Sequence, residues 1–189
     1  MGKRNFDHLP LVCVTSNYRS GAYQATRHLL DRGRTQIAYI QGILNTYHEN
    51  ERFAGYSQAL VEAGLQVDPS LVMSGSAEQA EARRQMKDLL ERKIPFDAVF
   101  AANDLMAFGA IESLFEYGVR VPEDVSVIGY DDIQAAPYFT PPLTTVRQDK
   151  IRLGQEAIGL LINMLHGTLD ENVSKDVLIE NELVIRGST

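Results

Sequence analysis

The chain has 189 residues and a formal net charge of −7, from 25 acidic and 18 basic side chains. That balance argues against a nucleic-acid face, because neutralising phosphates takes clustered Lys and Arg. Cys13 is the single cysteine, which excludes a disulfide framework or a thiolate metal cluster.

No apolar run approaches the roughly 20 residues that cross a bilayer. The opening MGKRNFDHLP has no apolar stretch followed by small residues, so it is not a secretory signal, and a cytoplasmic location without membrane partners is expected. Pro10 to Val14 reads as a buried strand. Ser20 to Arg32 carries Ala22, Ala25, Leu29 and Leu30 at helical spacing, with Gly33 as a stop. Ile37–Ile40 is the next strand. A polar loop from Asn45 to Asn50 leads into a helix with Phe53, Tyr56, Leu60 and Ala63 on one face, ended by Gly64. A short strand at Leu71–Met73 and a charged helix from Ala77 to Arg92 follow. Ala98–Ala101 reads as a strand, Asp104 to Tyr117 as a helix closed by Gly118, and Val125–Ile128 as a strand before a Pro-rich loop, Ala135 to Pro142. A strand at Thr144–Val146, a helix from Ile151 to His166 and a hairpin-like Val177 to Arg186 complete the reading.

Strand and helix alternating this regularly predict an α/β fold, a doubly wound parallel sheet with helices on both faces. Ligands of such sheets bind beyond the carboxyl ends of the strands. There the sequence places Asn45, Thr46, His48, Glu49, Asn50 and Arg52, then Asn103 and Asp104, then Tyr130, Asp131 and Asp132. Amides, carboxylates and a guanidinium can pair with neighbouring hydroxyls or a heterocycle edge. Each also has a structural reading. Asp104 reads as a helix N-cap, and Asn103 either shares that job or faces a ligand. Asp132 reads as a turn cap, Asp131 as a ligand contact. Arg52 stands where the helix dipole disfavours a cation, so a role beyond helix stability is expected, although Glu49 could satisfy it. Catalytic motifs such as GxSxG, GxxxxGK[ST] and HExxH are missing, and no catalytic residue, metal or cofactor is expected.

Several segments taken together resemble the lactose/galactose-repressor family of bacterial transcription regulators. They are AANDLMAFGA (101–110), VPEDVSVIGYDD (121–132), PPLTTVRQD (141–149), LVIRGST (183–189), TRHLLDRGRTQIAYIQG and ERFAGYSQALVEAG. The resemblance implies an effector-binding core with a periplasmic-binding-protein-like (type I) lobe, which controls operator DNA through a helix-turn-helix head outside this chain. It implies that residues 1–17 are a remnant of an N-terminal lobe and 18–142 a C-terminal effector-binding lobe. Residues 143–166 would be a strand and helix returning to the N-terminal lobe, and 167–189 C-terminal strands of the C-terminal lobe. The returning elements would lack their usual partners and are expected to be rearranged or packed on a neighbour.

Carried over residue by residue, Arg52, Asn103, Asp131 and His48 fall on effector-holding positions. Two departures follow from the same resemblance. Ser76-Ala77-Glu78 stands where an aromatic usually stacks, and Lys150 stands where a second one does. Losing stacking faces weakens the case for a plain hexose, and His48, Arg52 and Lys150 together favour a sugar phosphate. The family also implies a homodimer through Phe108, Ile111, Glu112, Phe115, Tyr138 and Phe139, with the stripe packing on the sheet as the other reading. A periplasmic-type sugar-binding transport protein is the alternative function. An enzyme of similar topology would need a nucleophile or metal constellation.

Overall fold

The computed structural model describes residues 12–74, 76–168 and 175–189. In chain order the elements are β1 (Val12–Ser16), α1 (Tyr18–Asp31), β2 (Ile37–Ile40), α2 (Tyr47–Glu62), β3 (Val72–Met73), α3 (Gln79–Glu91) and β4 (Ala98–Ala101). Then come α4 (Asp104–Glu116), β5 (Ser126–Asp131), β6 (Thr144–Arg147), α5 (Lys150–Leu165), β7 (Lys175–Ile179) and β8 (Glu182–Val184). The doubly wound sheet forms as expected. Its order is β3-β2-β4-β5-β6-β8, parallel throughout except for β8, which runs against β6.

Both faces of this sheet are covered, and the strand sequences show why. In β2, Ile37 and Tyr39 point to one face and Ala38 and Ile40 to the other, all of them buried. The first face, with Phe100, Ile128 and Tyr130, packs under Ala22, Ala25, Leu29 and Tyr56 of α1 and α2. The second, with Val99 and Val127, packs under Met86, Leu89, Met106 and Leu114 of α3 and α4. Each helix pair crosses at a glycine. Gly55 of α2 lies on the backbone of Arg19 and Tyr23 in α1, and Gly109 of α4 lies on Gln79 and Arg83 in α3.

Three expectations are corrected. The strand read at Thr144–Val146, expected to return elsewhere, is part of the main sheet. β6 sits between β5 and β8, and Thr144, Thr145 and Val146 are buried there. Val177 to Arg186 is no hairpin: β7 pairs in parallel with β1 in a separate two-stranded sheet, while β8 joins the main one. Asn181, between them, is buried and bonded to Tyr130 Oη and the Asn17 carbonyl, so the chain passes from one sheet to the other there. Pro10 and Leu11, read as the start of the first strand, lie outside the described residues.

The dimer stripe is the third. Ile111 is wholly buried and Phe108 nearly so, stacked on Phe139 with centroids 4.1 Å apart. With the sheet covered on both sides, α4 gives these residues to its own core, so Ile111 is not available to a partner. Glu112 is half-buried and accepts from Gln79 Nε2 at 2.8 Å. Phe115 and Tyr138 remain exposed.

α5 differs from the other helices. It packs on β1 and β7, yet Ile151, Ile158, Leu161 and Leu165 stay exposed. Among the described residues no helix is long and apolar enough to cross a membrane.

Candidate functional site

At the carboxyl end of the sheet a cluster of polar side chains forms around Arg52. Tyr47–Glu62 is helical from its first turn, and that turn supplies Glu49. Three residues on, Arg52 lies on the same side of the helix, with Nη1 3.3 Å from Glu49 Oε2. Both are buried. Tyr39 in β2 donates its hydroxyl to Glu49 Oε1 at 2.9 Å. Gly42 leaves room for the pair, since a Cβ there would meet Glu49 Oε2 at 2.9 Å. Burial pushes the Glu49 carboxyl up, and the Arg52 charge and these hydrogen bonds pull it part of the way back.

Two tyrosine rings hold the guanidinium. Arg52 Cζ lies 4.8 Å from the Tyr130 ring centre and 5.3 Å from that of Tyr18. Tyr18 follows the end of β1, and Tyr130 is the penultimate residue of β5. Arg52 Nε is buried and has no hydrogen-bond partner among the described residues.

Asp131 closes the other side. It ends β5 in the left-handed region, φ 107, followed by Asp132 at φ 47. Non-glycine residues in that region are strained by about 1–3 kcal/mol each, a cost typical of functional sites. Burial raises the Asp131 carboxyl, while Arg52, the Gln148 hydrogen bond and Lys150 lower it. Gln148 Nε2 donates to Asp131 Oδ1 at 2.5 Å, and Ser16 Oγ donates to Gln148 Oε1 at 2.9 Å. Lys150 Nζ reaches the Asp131 carbonyl at 3.4 Å. An open cleft of about 650 Å³ is lined here by Asp131, Gln148 and Lys150 among others.

The other sequence candidates divide. His48 packs against Tyr18 (5.9 Å between centroids) and lies 3.2 Å from Thr46 Oγ1, and burial, then Arg52, lowers its pKa. Arg52, His48, Asp131 and Lys150 are therefore brought to one end of the sheet. Asn103 instead caps α4, accepting from Met106 N at 2.8 Å and donating to the Ala77 carbonyl at 3.1 Å. The cap expected of Asp104 is thus made by Asn103, because the extended backbone of Asn103 precedes the helix and Asp104 is already inside it. Asp132 caps no turn; it pairs with Arg147 Nε at 2.6 Å and Arg186 Nη2 at 2.7 Å. Tyr18 and Gln148 were not singled out from the sequence. Both follow strand ends, so the rule that found Asp131 applies to them equally. Among the described residues no group of three or more His, Cys, Asp or Glu could hold a metal.

This polar end of a doubly wound sheet invites comparison with known proteins. The sequence pattern of the periplasmic binding protein-like domain matches residues 26–189. The HTH-type transcriptional repressor PurR of Haemophilus influenzae is 44% identical over 171 residues, covering 89% of this chain and 50% of that protein. A LacI-family protein from Sanguibacter keddieii is 33% identical with a TM-score of 0.89, over 100% of this chain and 72% of that one. The chain belongs to the LacI family. The resemblance read from AANDLMAFGA and VPEDVSVIGYDD, and the effector-core fold it implied, are thereby shown. The transcriptional regulator CelR, solved in complex with cellobiose, is 37% identical with a TM-score of 0.89, over 95% of this chain and 54% of CelR. This LacI-family chain spans about half the length of the curated relatives it matches.

Proposed function

We propose that this LacI-family chain is the effector-sensing part of a cytoplasmic transcription regulator, with one wall of the effector site built from Arg52 and Asp131. The observation that carries this reading is the buried Arg52, clamped between Tyr18 and Tyr130 with Nε unpartnered, at the same sheet end as the strained Asp131. A guanidinium and a carboxylate held apart offer donors to one side of a small molecule and acceptors to the other. Their charges, with those of Glu49 and Lys150, sum to zero, which suits a polyhydroxylated sugar or sugar derivative. The CelR relative's complex with cellobiose supports that class. His48 and Lys150 support a second reading, a sugar phosphate whose anion sits at the open edge. Asn103 would act through the start of α4. The operator would be read by a helix-turn-helix head, as the name of the PurR relative suggests.

Thermal-shift screening with neutral sugars, sugar phosphates and nucleosides tests the reading. A ligand at a hundred times its Kd adds about 2.7 kcal/mol to stability, or roughly 5 °C or more for a chain of this size. A neutral sugar is expected to give that shift, and tight binding of phosphorylated sugars alone favours the second reading. A screen in which only nucleosides bind overturns both.

The regulator is also proposed to be a homodimer, through the exposed Phe115 and Tyr138 with the partly exposed Glu112 and Phe139. Sedimentation should show a dimer that F115S/Y138S shifts towards monomer. A wild-type chain that stays monomeric at high concentration contradicts it.

A further inference from the structure

Asp104 is the second residue of AANDLMA to carry a polar side chain, and capping does not account for it. It is wholly buried, and a buried carboxylate normally needs a cation. Its partners are two neutral donors. Oδ2 accepts from Ile133 N at 2.8 Å, and Oδ1 from Thr145 Oγ1 at 2.5 Å. Gly129 completes the seat, because a Cβ at that position would overlap Asp104 Oδ1. One carboxylate thus joins the start of α4, the body of β5, the turn after it and β6.

What it holds is the turn that carries Asp131. Asp131 and Asp132 both lie in the left-handed region, and such a pair persists only where its surroundings over-determine it. The next backbone N–H, that of Ile133, is the one Asp104 takes. We propose that Asp104 is the positioning residue of the effector wall: through Ile133 and Thr145 it fixes the turn that aims Asp131 into the cleft. This rests on the effector reading of Arg52 and Asp131.

The charged groups around Asp104 sharpen its role. Asp131 and Asp132 face it from the turn and disfavour its charge, while Arg147 of β6 and Arg186 are committed to Asp132. Burial, with those two acids, pushes the carboxyl up to about 7 against the pull of Thr145 and Ile133. Only the ionised form accepts from both donors without offering a proton of its own, so the tie to the turn weakens as pH falls through neutrality.

Thr145 gives the decisive variants, since Thr145→Val removes the hydroxyl at nearly constant volume and Thr145→Ser keeps it. The whole chain, labelled with ¹³C at its Asp carboxyls, is titrated by NMR, and amide exchange at Ile133 is followed. Thr145→Val is expected to raise the Asp104 midpoint, displace that of Asp131 and speed Ile133 exchange about tenfold, the worth of one charge-assisted hydrogen bond. Thr145→Ser should restore all three, and Asp104→Asn should also speed the Ile133 exchange. An Asp131 midpoint and Ile133 exchange unchanged in Thr145→Val overturn the proposal, as does failure of Thr145→Ser to restore them. Neither readout needs a ligand. A failed sugar screen therefore counts against the effector reading, and a flat titration counts against Asp104.

Discussion

Replacing Arg52 by Leu is expected to weaken effector binding on the order of 100-fold and to destabilise the fold in a pH-dependent way. The binding loss follows from removing the guanidinium of the proposed wall, on the order of 100-fold for a hydrogen bond to a charged group. The stability loss follows from Glu49. It is buried, and Arg52 is the cation paired with it. Removing one partner of a buried pair costs about 3 kcal/mol or more because the other is left charged and desolvated. The sign with pH is fixed by the direction of the Glu49 shift. Burial already raises its carboxyl, and without Arg52 it rises further. The folded state then keeps a proton that the unfolded chain gives up above its ordinary pKa of 4.5. Stability of the variant therefore falls as pH rises from that value towards the raised folded one. Denaturant titration of R52L at pH 5 and pH 8 reads this, and R52L/E49Q should recover most of the loss at pH 8. Equal destabilisation at both pH values, unrelieved by E49Q, would mean that the pair is not what Arg52 supports.

Gly55→Ala is expected to be strongly damaging for so small a substitution. A methyl there would sit on the Arg19 carbonyl, with the Tyr23 amide nitrogen 2.9 Å away. Backbone cannot rotate aside as a side chain does, so α1 and α2 must separate. Overpacking costs typically 1–3 kcal/mol and more against main chain, so about 3 kcal/mol is expected here. The modest gain from helix propensity does not offset it. Gly109→Ala sets the same conflict between α4 and the Gln79 carbonyl of α3. By contrast Gly159→Ala meets nothing within 4 Å and should leave the melting temperature unchanged or raised. If Gly55→Ala melts with the wild type, the tight α1–α2 crossing is wrong.

The alternation of apolar runs with helical patterns made the parallel sheet legible, because a strand buried on both faces, such as Ile37–Ile40, cannot hide its composition. As candidates, Asp131 stood out as a polar residue at a strand end and Arg52 as a cation in the first turns of a helix, where the dipole disfavours it. What escaped were matters of partner choice. Whether Asn103 or Asp104 caps α4 depends on one residue of helix phase, which patterning does not resolve. β7 and β8 are joined by two residues and look like a hairpin, but pairing with β1 satisfies β7 elsewhere. Ile111 and Phe108 form a stripe either way, and only a sheet covered on both faces decides that the stripe turns inward. Tyr18 carries no charge or amide to mark it, and its part in the site depends on Arg52 stacking against it.

If Arg52 and Asp131 form one effector-binding wall, calorimetric titration of wild type and Asp131→Asn with a neutral sugar that shifts the melting point reads its acidic side. Asp131→Asn keeps the shape and removes the charge and an acceptor, so affinity should fall by on the order of 100-fold with little change in melting temperature. Binding of equal strength to wild type and Asp131→Asn would contradict it.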